Sequence, residues 1–150
     1  MTIRCEIVSQ DRMVFQGDAD IVILPGAMGE MGILEGHAPL LSSLKLGVIR
    51  VKHGGEEDFF TVTGGFVEVQ PEIVTVMADA AENVEEIDVD RAKKAMERAE
   101  KLLDEYSETD TENYMRIQAA LRRSDLRLKT VEQYRRRGQR SRPPGMGSSE

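Results

Sequence analysis

Glycine and proline divide this chain into two stretches that cannot share one kind of fold. Ten of the 13 glycines lie between Gly17 and Gly65, and none occurs from Phe66 to Arg137. After Pro71 the next proline is Pro143. Dense glycine belongs where a chain turns between short strands, and a long gap in both breakers belongs to helix. The first stretch alternates as strands do. Ile3, Cys5 and Ile7 interleave with Thr2, Arg4 and Glu6, so one face is buried. Ala19–Leu24 stops at Pro25-Gly26. Val48–Val51 turns at His53-Gly54-Gly55 into Phe59–Thr63, and Gly64-Gly65 leads into Phe66–Val69. Ile73–Met77 follows Pro71-Glu72. Spacing this even suggests eight to ten short strands in a compact antiparallel sandwich. A unit this small is marginally stable alone, so docking on a partner would help it.

The second stretch changes period. Ala92, Ala95, Ala99, Leu102 and Tyr106 recur at three- and four-residue steps. Tyr114, Ile117, Leu121, Leu128 and Val131 do so again after Ser107–Asp110, with polar Ser124 in one seam slot. Two amphipathic helices joined by a short polar link make an antiparallel hairpin. Alanine buries little area at about 25 cal/mol per Å², so this seam is expected to hold weakly. The chain therefore reads as α+β: an N-terminal antiparallel β-sandwich of about ten strands over residues 1–86, then a two-helix hairpin over 87–134. Residues 135–150, RRRGQRSRPPGMGSSE, have the composition of a disordered basic tail.

Charge and composition exclude several classes of function. Residues 1–86 carry 15 acidic and 5 basic side chains, whereas residues 87–150 carry 12 and 15. The acidic first part speaks against nucleic acid as a partner, and the basic second part can meet an anion. One cysteine excludes an internal disulfide framework, and Cys5 in an apolar run reads as a buried, inert thiol. The N-terminus lacks a signal-peptide core, and no window approaches a membrane span. A soluble protein in a reducing compartment, the cytoplasm, is expected. Paired carboxylates in a pocket, a nucleophile with its base, and a metal cluster are all unmarked, so the chain is not expected to be an enzyme. His37 and His53 are the only histidines, and no metal site is expected.

Leu24–Leu41 packs four glycines and two prolines around a few apolar residues. It lacks the lysine and strand-to-helix context of a phosphate loop, and it reads as an ordered surface loop of the kind that carries contacts. This stretch, with VTGGFVEV at 62–69 and VTVMAD at 74–79, closely resembles the epsilon subunit of bacterial F-type ATP synthases. That family shows PG…GExGI…GHAPLL, GGFxEV and VTVLAD in this order, and the likeness spans residues 3 to about 134. Glu35 is a departure, because the family usually has proline there.

The resemblance implies a ten-stranded sandwich with a helical hairpin, binding the gamma subunit of the central stalk and resting on the c-ring. It implies that Glu30, Glu35, Gly36 and His37 face the ring and gamma; for His37 a local hydrogen bond is the plainer alternative. Membrane association then comes only through the complex, at the cytoplasmic face of the cell membrane.

Asp88, in Ile87–Ala92, is a good N-cap, and Asp90 suits the dipole of the first turn. This segment also resembles the I/L-D-x-x-R-A motif with which some epsilon subunits bind a regulatory ATP. The family's partner positions map onto Glu82, Arg123 and Arg127, beside Asp88 and Arg91. Arg123 and Arg127, four apart, leave one helical face, and no group for hydrolysis accompanies them. No cofactor is required beyond such a regulatory ATP. A solvated basic face paired with Glu97, Glu100 and Asp104 remains the alternative.

By the same resemblance the hairpin extends along gamma into the alpha/beta catalytic head. There Arg122, Arg123, Arg127 and Arg135 would meet acidic partners and block ATP hydrolysis. The rival reading is a stand-alone ligand-binding sandwich with a helical dimerisation tail.

Overall fold

The computed structural model describes residues 1–106 and 110–140, apart from the side chains of 138–140. It divides into two compact units, Met1–Ile87 and a second beginning at Asp88.

The first unit holds ten strands: β1 (Ile3–Val8), β2 (Met13–Ala19), β3 (Ile21–Gly26), β4 (Gly29–Ile33), β5 (Leu40–Leu44), β6 (Gly47–His53), β7 (Glu56–Val62), β8 (Gly65–Val69), β9 (Ile73–Ala78) and β10 (Ala81–Asn83). They run in the order β10-β7-β6-β3-β5-β8-β9-β1-β2, with β4 also on β3. A single residue pair, Gly26 with Leu44, joins β3 to β5, so the path folds there into two layers. Between them lie Ile3, Cys5 and Ile7 of β1, Val22 and Leu24 of β3, Ile49 and Val51 of β6, and Val67, Val69, Val74 and Val76 of β8 and β9. The period-2 pattern of β1 is what selects its inward face. Burial, with Glu6 beside it, pushes the Cys5 thiol up to about 12.

Two details differ from the expectation. β1 and β9 pair in parallel, whereas the remaining ladders are antiparallel. No tight turn links these two remote strands, so nothing local forces them antiparallel. The glycine-rich stretch is also less of a loop than its composition implied: Gly29–Ile33 is β4 and Leu40–Leu44 is β5. In β4, Met31 and Ile33 point to the covered side while Glu30 and Gly32 are exposed. Glycine has no side chain to register the outward half of that alternation, which hid the strand.

The second unit is a pair of packed helices, α1 (Val89–Glu105) and α2 (Thr111–Arg140). The Asp88 carboxylate caps α1, accepting from Arg91 N–H at 3.1 Å. Asp110 plays the same part for α2, accepting from Asn113 N–H at 3.4 Å. Ala92 and Ala99 are buried on α1, but Leu102 and Tyr106, expected in the seam, are each 40% exposed. From Ala99 the covered stripe continues by four residues to half-buried Leu103, and Tyr106 is the C-cap. On α2, Ser124 and Val131 are buried. Helix α2 runs to Arg140, past the expected boundary at 134. Residues 135–137 precede the next glycine, and the Glu132–Arg136 pair at i and i+4 supports that turn. The remainder of the expected tail, 141–150, and most of the interhelical link, 107–109, lie outside the described residues. Among the described residues no helix is long and apolar enough to cross a membrane.

Candidate functional site

Residues 34–37 make a tight turn between β4 and β5. His37 N–H donates to the Leu34 carbonyl at 3.2 Å, and Gly36, at φ +77°, occupies the third position of the turn. That left-handed φ is the reason for glycine here. Gly36 N–H also donates to the Pro71 carbonyl at 2.9 Å, tying the turn to the segment before β9. His37 Nδ1–H donates to the Ala38 carbonyl at 2.8 Å. The plainer reading of His37 is thus satisfied, and its Nε2 edge is left for other uses. Glu35 is exposed at the tip. Glu30, 71% exposed on β4, lies 3.6 Å from Arg50 of β6. Glu35, Gly36 and His37 are brought together by one turn; Glu30 is held apart from them on the strand.

The expected nucleotide residues are divided between the two units. Glu82 lies on β10, where its carboxylate accepts from Thr61 Oγ1 at 3.3 Å. Asp88 spends one carboxylate oxygen on the α1 N-cap. Arg91 is exposed in the first turn of α1, and Arg123 and Arg127 lie in the middle of α2. The hairpin register separates them. Val89 and Lys93 share a cleft with Leu128, Val131, Glu132, Arg135 and Arg136, so Arg91 is level with about residue 131. At 1.5 Å per residue, Arg127 lies about 6 Å and Arg123 about 12 Å further along the axis. Arg127 is therefore the better placed of the two to share a ligand with Arg91. Arg122, Arg123 and Arg135 are exposed, and Arg127 is half-buried.

A further feature was missed by pattern reading. Cross-strand partners Ser43, Phe66, Met77, Val8 and Met13 form one row over β5, β8, β9, β1 and β2. Phe66 is 56% exposed, Met13 47% and Met77 44%. The next outward row, Leu41, Glu68, Thr75, Glu6 and Gln16, is polar apart from Leu41. A contiguous apolar row on a water-facing sheet is the mark of an interaction surface. The signal existed: in β8, Phe66 shares the phase of Glu68, not that of buried Val67 and Val69.

Comparison with known proteins covers both units. Residues 2–84 match the family model described as "ATP synthase, Delta/Epsilon chain, beta-sandwich domain". Residues 85–132 match "ATP synthase, Delta/Epsilon chain, long alpha-helix domain". The ATP synthase epsilon chain of Bacillus pumilus is 45% identical over 127 residues, covering 85% of this chain and 95% of that one. That of Chromohalobacter salexigens is 43% identical over 139 residues, covering 91% and 96%. Among solved structures, a chain of the Euglena gracilis mitochondrial ATP synthase (OSCP/F1/c-ring) superposes with a TM-score of 0.63. It is 25% identical and covers 91% of this chain and 81% of that one.

Proposed function

The chain belongs to the ATP synthase delta/epsilon family, and on that premise we propose that it is a non-catalytic central-stalk subunit with a movable helical brake. In this reading the strand unit joins gamma to the c-ring, so that torque reaches the catalytic head. The observation that carries it is the apolar row of Met13, Val8, Met77 and Phe66, with the polar turn at Glu35–His37 tied to Pro71 at the other end of β8 and β9. One surface suits a packed protein partner, and the other suits the polar loops of a ring. Apolar side chains left in water at this density favour burial, at about 25 cal/mol per Å² covered.

Regulation resides in the hairpin. Packed together, the helices leave rotation free; extended along gamma, α2 presents Arg122, Arg123, Arg127 and Arg135 to the alpha/beta head and stops ATP hydrolysis. ATP held by Arg91 and Arg127, with Asp88 and Arg123 around it, favours the packed state through differential affinity. At 100 times its dissociation constant, such a ligand shifts the balance by about 2.7 kcal/mol. A seam whose buried α1 residues are Ala92 and Ala99 is light enough to be moved by that energy.

Co-purification with gamma tests the first half. Phe66→Glu together with Met77→Glu is expected to abolish capture of gamma while leaving the strand unit folded, since both side chains already face water. Undiminished capture would remove the row from the interface. For the second half, Arg127→Ala is expected to weaken ATP binding by about tenfold, the scale of 1.4 kcal/mol, and Arg123→Ala by less. Calorimetry showing no loss in either variant would exclude these arginines.

A further inference from the structure

The helical unit has a cleft of about 370 Å³ that the nucleotide reading does not use. Its floor is aliphatic: Val89 on the first turn of α1, with Leu128 and Val131 on α2. Val131 is 8% exposed and Leu128 half-buried, so the floor is largely withdrawn from water. Its rim is cationic, with Lys93, Arg135 and Arg136 around a single carboxylate, Glu132. Arg136 and Glu132 pair with each other, which leaves the charge of Lys93 and Arg135 unbalanced within the cleft. Apolar floor and cationic rim together match neither a free inorganic anion nor a purely apolar ligand. They match a molecule with a phosphate at one end and an apolar body at the other.

We infer that this cleft is a binding site for an amphiphilic organic phosphate, with the phosphate against Lys93 and Arg135 and the apolar part over Val89, Leu128 and Val131. Its volume is within the range of small-ligand pockets, about 300–1,000 Å³. It is separate from the arginines considered above. Two residues along α1 are about 200° of rotation, so Arg91 leaves the side of the helix away from Val89 and Lys93. Neither Arg123 nor Arg127 lines the cleft. Because Lys93 and Arg135 are exposed, neutralising them spares the packing of the hairpin.

Hexyl phosphate, titrated into the full chain by calorimetry and amide NMR, is the probe. Saturable binding is expected, with shifts at Val89, Lys93, Leu128 and Val131, and at least about tenfold tighter than inorganic phosphate because of the buried hexyl carbons. Lys93→Gln with Arg135→Gln should weaken it about tenfold at unchanged helicity, on the scale of lost charge-assisted hydrogen bonds. Arg123→Ala with Arg127→Ala should leave it unchanged, which separates this site from the nucleotide proposal. Competition then identifies the source. Displacement by phosphatidylglycerol vesicles but not phosphatidylcholine assigns a lipid headgroup, and displacement by ATP assigns a soluble nucleotide. The inference is overturned by equal affinity for hexyl and inorganic phosphate, by binding that survives loss of Lys93 and Arg135, or by displacement with neither competitor.

Discussion

Glu35 occupies the second position of the Leu34–His37 turn, where proline's fixed φ is favoured and where the family usually has proline. None of the backbone hydrogen bonds of this turn uses the Glu35 N–H. Glu35→Pro is therefore expected to stabilise the strand unit by about 0.4–1 kcal/mol through the unfolded chain, seen as a raised urea midpoint at constant slope. A lowered midpoint would mean that the turn needs the freedom glutamate allows. Gly65 is the opposite case. Its φ is +131°, and an added Cβ would stand 2.2 Å from the Met77 carbonyl oxygen, which belongs to the backbone and cannot rotate away. Gly65→Ala should cost at least about 2–3 kcal/mol, because left-handed strain and a clash between β8 and β9 act together. A thermal midpoint close to wild type would show that the two strands can part cheaply.

At the scale of elements, an ion pair ties the path out of the strand unit to the turn between β1 and β2. Arg12, in the turn between β1 and β2, meets Glu86 of the short helical turn Val84–Glu86 through both terminal guanidinium nitrogens, Nη2 at 2.5 Å and Nη1 at 3.2 Å. The hydrogen bond from Arg12 and its charge hold the Glu86 carboxyl below its ordinary value. Folding thus favours the ionised form. The pair's contribution is fully present above the unfolded glutamate pKa and is lost as pH falls through the lowered folded value. Unfolding midpoints of wild type and Glu86→Gln should differ near neutral pH and converge in acid, by a small and salt-sensitive amount. A difference independent of pH would assign it to packing. Within the hairpin, Ala92 and Ala99 supply the buried residues of α1. Amide exchange should accordingly find α1 and α2 less protected than β1, β8 and β9, whose inward side chains are nearly all fully buried. Equal protection in helices and strands would leave no room for a hairpin that switches.

For the whole molecule, the division at Ile87/Asp88 separates a unit with its own hydrophobic core from one that has little. Removing residues 88–150 should leave a folded strand unit with native β-sheet dichroism that still captures gamma. The assembled complex should then hydrolyse ATP without the brake. Inhibition that persists in the truncated complex would place the brake outside the hairpin.

How much of this was legible beforehand depended on range. Period and breakers are local properties, so the strand-to-helix change, β1, β3, β6 to β9 and the α1 cap at Asp88 could be read from neighbouring residues. Four strands escaped notice, β2, β4, β5 and β10: the glycines that shape β4 carry no hydropathy signal, β2 and β5 do not alternate cleanly, and β10 is only three residues long. Hydrophobic amount was legible, but its direction at helix ends was not: Leu103, and not Leu102, enters the seam because the partner helix decides which step of the stripe continues. The sequence by itself determined where strand gives way to helix and which six strands alternate clearly, because backbone preference and side-chain phase act over a few residues. The parallel β1–β9 pairing, the outward row from Ser43 to Met13, and the axial separation of Arg123 from Arg91 were settled only by tertiary structure. Each depends on which distant segments come to lie side by side, and no local preference encodes that.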